Sequence, residues 1–127
     1  MKSNRGARPK IVVIDDEPDF LVLIESWLKP SYDVTAFAHS FGLVEQLQSL
    51  KPDLVLLDVH MPEESGFRIC RRLRSTPGLS DLPVIFLTGS ITDEDFLLHI
   101  ETGGTRYLTK PIGRRKLLDA VSEHLGT

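Results

Sequence analysis

The sequence predicts an α/β fold: a doubly wound, five-stranded parallel sheet with helices on both faces, built as five consecutive βα units. Three observations carry that expectation. Short β-branched or leucine-rich runs alternate five times with stretches of helical periodicity, the signature of βα units. Several runs are apolar at consecutive positions, as strands buried on both faces of a parallel sheet must be. Polar groups collect where the runs stop, and in open α/β sheets ligands sit outside the carboxyl ends of the strands. With 127 residues, 41% of them apolar and 26% charged, the chain has the size and composition of one globular domain. No internal repeat, low-complexity tract or linker divides it.

Residues 1–9 are basic, lack the apolar core of a signal peptide, and read as a flexible arm ahead of a domain spanning 10–127. The first strand, Lys10-Ile11-Val12-Val13-Ile14, stops at Asp15-Asp16-Glu17-Pro18. Pro18 suits the first turn of a helix, in which Phe20, Leu21, Leu23, Ile24, Trp27 and Leu28 recur at helical spacing until Lys29-Pro30 stops it. A weaker strand is expected at 32–36. Ser40 then reads as the cap of a second helix with Phe41, Val44 and Leu47 inward, closed by 49–52.

The central strand, 53–57, is apolar after its first residue and ends on Asp58. A loop at 59–65 leads to a helix at 66–74. Ile69, Cys70 and Leu73 mark its inner side, and Arg68, Arg71, Arg72 and Arg74 read as a solvated face. After Ser75-Thr76-Pro77-Gly78 comes a strand at 83–87, ending in Thr88-Gly89-Ser90. A helix at 93–101 opens with three acids and ends at Gly103-Gly104. A strand at 105–108 runs into Thr109-Lys110-Pro111, and Leu117, Leu118, Val121 and Leu125 mark the C-terminal helix.

A net charge of −3 supplies no electrostatic reason to bind nucleic acid, and no run is long enough for a transmembrane helix. The single cysteine, Cys70, cannot close an internal disulfide and reads as a buried filler in a reducing compartment. A cytoplasmic location is therefore expected. His39, His99 and His124 read as surface residues.

Neighbouring strand ends in a parallel sheet converge, so Asp15, Asp16, Asp58, Thr88 and Lys110 are expected to share one pocket. Two like charges about 4 Å apart cost on the order of 4 kcal/mol at an effective dielectric near 20, so three carboxylates need a positive partner. A hard cation held by carboxylates with sites left for water and phosphate suits Mg²⁺, and Lys110 can supply further positive charge. Zinc is a poor candidate without a His- or Cys-rich cluster. A carboxylate beside two cations is equipped to attack phosphorus and form an aspartyl phosphate.

Asp15-Asp16 after the first strand, Asp58-Val59-His60-Met61-Pro62 followed by Gly66, Thr88-Gly89, and Tyr107-Leu108-Thr109-Lys110-Pro111 occur in one order. On these motifs the chain resembles the receiver domains of two-component response regulators over essentially its whole length. The resemblance implies the strand order 2-1-3-4-5 and a phosphoacceptor at Asp58. Asp16, Asp58 and the backbone carbonyl of His60 would bind Mg²⁺ directly, with Asp15 acting mainly through bound water. Lys110 would pair with the acceptor or its phosphoryl group, and Thr88 and Tyr107 would form the switch pair. The side chains of His60 and Ser90 would tune the access of water.

The implied partners are a histidine kinase or histidine phosphotransfer protein and a downstream effector protein or domain, with no direct nucleic acid binding and no membrane. A homodimer is the other association the family allows, although Arg106 stands where many members carry an acid. Such a domain is a signalling switch that promotes its own phosphorylation and dephosphorylation, rather than an enzyme. The competing readings are a degenerate receiver that acts only by contact and a Mg²⁺-dependent phosphatase of the haloacid dehalogenase type. The latter requires a D-x-D motif on the first strand, where this chain has Asp15-Asp16-Glu17. Both a stand-alone regulator and a receiver excised from a longer chain fit the sequence.

Overall fold

A computed structural model describes residues 8–89 and 105–126. Strands β1 (Lys10–Ile14), β2 (Asp33–Phe37), β3 (Leu54–Asp58), β4 (Val84–Thr88) and β5 (Arg106–Thr109) form one sheet in the order β2-β1-β3-β4-β5. All four neighbouring pairs are parallel. Helices α1 (Pro18–Leu28), α2 (Leu43–Leu50), α3 (Gly66–Arg74) and α4 (Arg114–Leu125) cover the two faces. The expected helix at 93–101, together with Ser90, His99, Gly103 and Gly104, lies outside the described residues.

The two-residue period of a strand divides each apolar run between the faces. Val12, Ile14, Val55, Leu57, Val84 and Phe86 pack with Leu43 and Leu47 of α2 and Phe67, Cys70 and Leu73 of α3. Ile11, Val13, Leu54, Leu56, Ile85 and Leu87 pack with Leu21, Ile24 and Leu28 of α1 and Leu117, Ala120 and Val121 of α4. Consecutive apolar residues were therefore needed, because both faces of β1, β3 and β4 are dry.

Several local expectations shift. β2, β3, β4 and β5 each begin one residue later than predicted, and Tyr32 is instead a buried residue of the turn before β2. Ser40 does not cap α2. That helix opens on Gly42 in the left-handed region at φ 63°, with no side-chain cap, while the Ser40 amide and hydroxyl both donate to Glu63 Oε1 at 3.1 and 3.0 Å. Phe41 is accordingly 69% exposed rather than inward, and Leu43 takes its place in the core. Leu23 points outward from α1, and His124 is half-buried rather than a free surface residue. Arg8 donates to the Lys29 carbonyl at 2.6 Å and the Pro9 carbonyl accepts from the Asp33 amide, so the last two residues of the expected arm are bonded.

Candidate functional site

The strand order sets β1 against β3, and both end in acids. Asp15 is completely buried: its amide donates to the Phe37 carbonyl and its Oδ1 accepts from the Glu17 amide at 2.9 Å. Asp58, 4% exposed, is the last residue of β3, and its Oδ1 accepts from the His60 amide at 3.2 Å. Ligand oxygens of Asp15, Asp16 and Asp58 all lie within 4.8 Å of one another. The expected three-carboxylate cluster is present.

The chain after Asp58 is held close by a glycine. The Gly66 amide donates to the Val59 carbonyl at 2.8 Å, and a Cβ at Gly66 would stand 2.3 Å from the Asp58 carbonyl oxygen, closer than any side chain allows. His60 and Ser65 form an isolated antiparallel bridge, and Ser65 Oγ accepts from the Phe67 amide to open α3. The loop after Asp58 is thus fixed at both ends. The His60 imidazole is exposed, and its backbone amide is what touches Asp58.

Thr88 is buried at the end of β4, and its carbonyl accepts from the Lys110 amide at 2.7 Å. Tyr107 pairs in register with Phe86, two residues before Thr88, so ring and hydroxyl share one sheet face. The half-buried Tyr107 ring turns inward, edge-on to Phe67 at 6.1 Å and tilted against Phe86 at 5.7 Å.

Lys110 lies in the same cleft as Asp58 and is paired with other groups. Its ammonium lies 2.8 Å from Asp15 Oδ2, donates to Glu17 Oε1 at 2.8 Å, and sits 4.3 Å from the centre of the Phe20 ring. Its ion pairs among the described residues are these two, and none joins it to Asp58. Burial and then the Asp15 charge push the Asp58 carboxyl up to about 6, against the smaller opposing pull of Lys110 and the His60 amide. Asp15 is raised as well, chiefly by burial, despite its contacts with Lys110 and the Glu17 amide. Burial pulls Lys110 down, but its bonds to Asp15 and Glu17 and the charge of Asp58 outweigh that and raise it. The ammonium thus sits between two carboxylates and a ring face. Sequence reasoning missed Glu17 and Phe20; the one available signal was their position in the turn directly after the acidic pair.

Asp16, Glu17, Asp58, His60, Gly89 and Lys110 line an open cleft of about 330 Å³. Larger depressions elsewhere, such as the one of about 410 Å³ at Gln48, Lys51, Pro52, Pro77, Gly78 and Leu79, gather no comparable set of charges. Chemistry rather than volume marks the site. An all-oxygen donor set with surplus negative charge fits a hard divalent cation such as Mg²⁺.

The chain is 37% identical over 122 residues to the transcriptional regulatory protein SpaR of Bacillus subtilis, covering 91% of this chain and 51% of that protein. It is 36% identical over 115 residues to a probable cyclic di-GMP phosphodiesterase of Vibrio cholerae, covering 91% of this chain and 26% of that one. The chain thus spans about half or less of these curated relatives. Among solved structures, the receiver domain of a Pseudomonas aeruginosa sensor histidine kinase, with a magnesium ion coordinated in its active-site cleft, superposes with a TM-score of 0.86 at 26% identity. That match covers 95% of this chain and 100% of the other. The model of the response regulator receiver domain matches residues 11–122, from the first residues of β1 into α4. Sheet order, acidic cluster and family model agree, and the chain belongs to the receiver domain family of two-component response regulators.

Proposed function

We propose that Asp58 is the phosphoacceptor of a receiver domain formed by residues 10–127. The observation that carries this reading is the Asp58 carboxyl itself, buried at the end of the central strand beside Asp15 and Asp16, with Lys110 in the same cleft. An Asp58 oxygen forms a bond to the donor's phosphorus while the bond from phosphorus to its leaving group breaks. With a phosphohistidine of a histidine kinase or phosphotransfer protein, the leaving imidazole nitrogen takes the electron pair. Asp16, Asp58 and the His60 carbonyl would hold Mg²⁺, with Asp15 acting through water. When bound, the cation neutralises charge on the transferring oxygens.

The chain's own residues do the rest. The Asp58 carboxyl accepts from the His60 amide, and the lack of a side chain at Gly66 lets the chain pass close to the Asp58 carbonyl. Lys110 and the Thr88 hydroxyl approach the phosphoryl oxygens as charge-assisted donors. A phosphoryl group adds roughly −1.5 to −2 charge and three acceptor oxygens, so it favours the state that brings Thr88 and Lys110 nearest. With Thr88 drawn toward the phosphoryl group, Tyr107 settles further into the space beside Phe67 and Phe86, and the face around β5 changes for its partners. Those partners are an effector protein or domain, or a second copy of the chain, and the domain works in the cytoplasm without touching nucleic acid itself. Its own dephosphorylation by water resets the switch.

Intact-mass analysis after incubation with acetyl phosphate and Mg²⁺ tests the assignment. One phosphoryl adduct is expected on the wild type and none on Asp58→Ala or without Mg²⁺. An adduct that survives Asp58→Ala would remove Asp58 from its role.

A further inference from the structure

Among the described residues lining the cleft, Lys110 alone carries a fixed positive charge, and three carboxylates of that cleft region compete for it. Glu17 wins a contact by an unusual route. It occupies the N-cap position of α1, yet its side chain makes no cap bond to the first turn. Its carboxylate reaches instead to Lys110 Nζ, 2.8 Å away, from the far end of the chain. Phe20, three residues on and therefore on the same side of the helix, places its ring under the same ammonium.

Resting on the reading of Asp58 as phosphoacceptor, we infer that Glu17 and Phe20 form a holding site that keeps Lys110 away from Asp58 until the phosphoryl group arrives. Glu17 is then a positioning residue that acts through Lys110. In the reaction with acetyl phosphate, an Asp58 oxygen bonds to phosphorus and the phosphorus–oxygen bond to acetate breaks, acetate leaving with the electron pair. Lys110 follows the new charge: it exchanges a Glu17 oxygen and the Phe20 ring face for a phosphoryl oxygen, and retains Asp15. Every contact surrendered at the holding site is a cost to the phosphorylated state and to the transition state before it. The strength of the hold therefore sets how readily the domain is phosphorylated.

The rival account is that Glu17 merely repels an anionic donor. Asp19, an exposed acid in the same helical turn that makes no ion pair with Lys110, separates the two. Phosphorylation by acetyl phosphate is followed by intact mass for the wild type, Glu17→Gln, Phe20→Leu and Asp19→Asn. Glu17→Gln and Phe20→Leu are expected to speed phosphorylation about two- to fivefold, the scale of one partly exposed ion pair or cation–π contact. Asp19→Asn is expected to leave the rate unchanged. In parallel, the Lys110 Cε protons should show a ring-current shift by NMR in the unmodified wild type, absent in Phe20→Leu and lost when the wild type takes up beryllofluoride with Mg²⁺. Equal rates for Glu17→Gln and Asp19→Asn, or a ring-current shift that survives beryllofluoride, would overturn the holding site while leaving Asp58 in its role. A wild type that forms no adduct would overturn the phosphoacceptor reading and the holding site with it.

Discussion

Asp58 keeps its carboxyl protonated up to about pH 6 because burial and the Asp15 charge outweigh Lys110 and the His60 amide. The unfolded chain releases that proton near 3.8, so the folded state binds more protons between about 3.8 and about 6. Stability therefore falls as pH rises through that window and stays lowered above it. Asp58→Asn is expected to stabilise the metal-free protein by about 1–3 kcal/mol at pH 7 and by almost nothing near pH 4, measured as urea midpoints in the presence of EDTA. A gain of equal size at both pH values would refute the titration account. Gly66→Ala acts in the opposite direction. Its Cβ would meet backbone rather than a side chain that can yield, and overpacking of that kind typically costs about 1–3 kcal/mol. An unchanged unfolding curve would show that the loop after Asp58 can move aside. Asp58 was legible because it ends an apolar run, and Gly66 because it completes a motif. The choice of Lys110 between Asp58 and Glu17 was not, since it depends on distances between residues far apart in sequence.

The strands were the most legible elements, because a parallel sheet with helices on both sides leaves no polar position inside a strand such as Val84–Thr88 until its last residue. Helix starts were less so. Ser40 has the chemistry of a cap, but Gly42 begins α2, and Ser40 is spent on Glu63 across the gap between the connection before α2 and the loop before α3. Nothing local in either segment announces that bond. Glu63→Ala leaves a 5%-exposed Ser40 with its amide and hydroxyl lacking this acceptor, a loss on the order of 1–3 kcal/mol for buried groups. The expected signature is faster hydrogen exchange at the Ser40 amide with little change at β4 amides. Uniform acceleration throughout the sheet would mean that the tie supports the whole fold rather than the two loops.

At the scale of the molecule, the order β2-β1-β3-β4-β5 makes the site, since only the adjacency of β1 and β3 brings Asp15 and Asp16 to Asp58. The cost of that adjacency is visible at Asp58, whose carboxyl is raised first by burial and then by the Asp15 charge. A cation bound there must relieve it, and relief of a folding cost is measurable without any phosphodonor. Mg²⁺ is expected to raise the stability of the wild type by about 2.7 kcal/mol at a hundredfold excess over its dissociation constant, and Asp16→Asn is expected to lose most of that increment. Because Asp58 must give up its proton to serve as a ligand, the increment should shrink as pH falls below about 6. Asp58→Asn then gives the decisive comparison. It stabilises the metal-free protein and weakens the response to Mg²⁺, two effects of opposite sign from one substitution. An ordinary acidic cluster predicts the first effect alone, so an undiminished Mg²⁺ increment in Asp58→Asn would place the cation elsewhere.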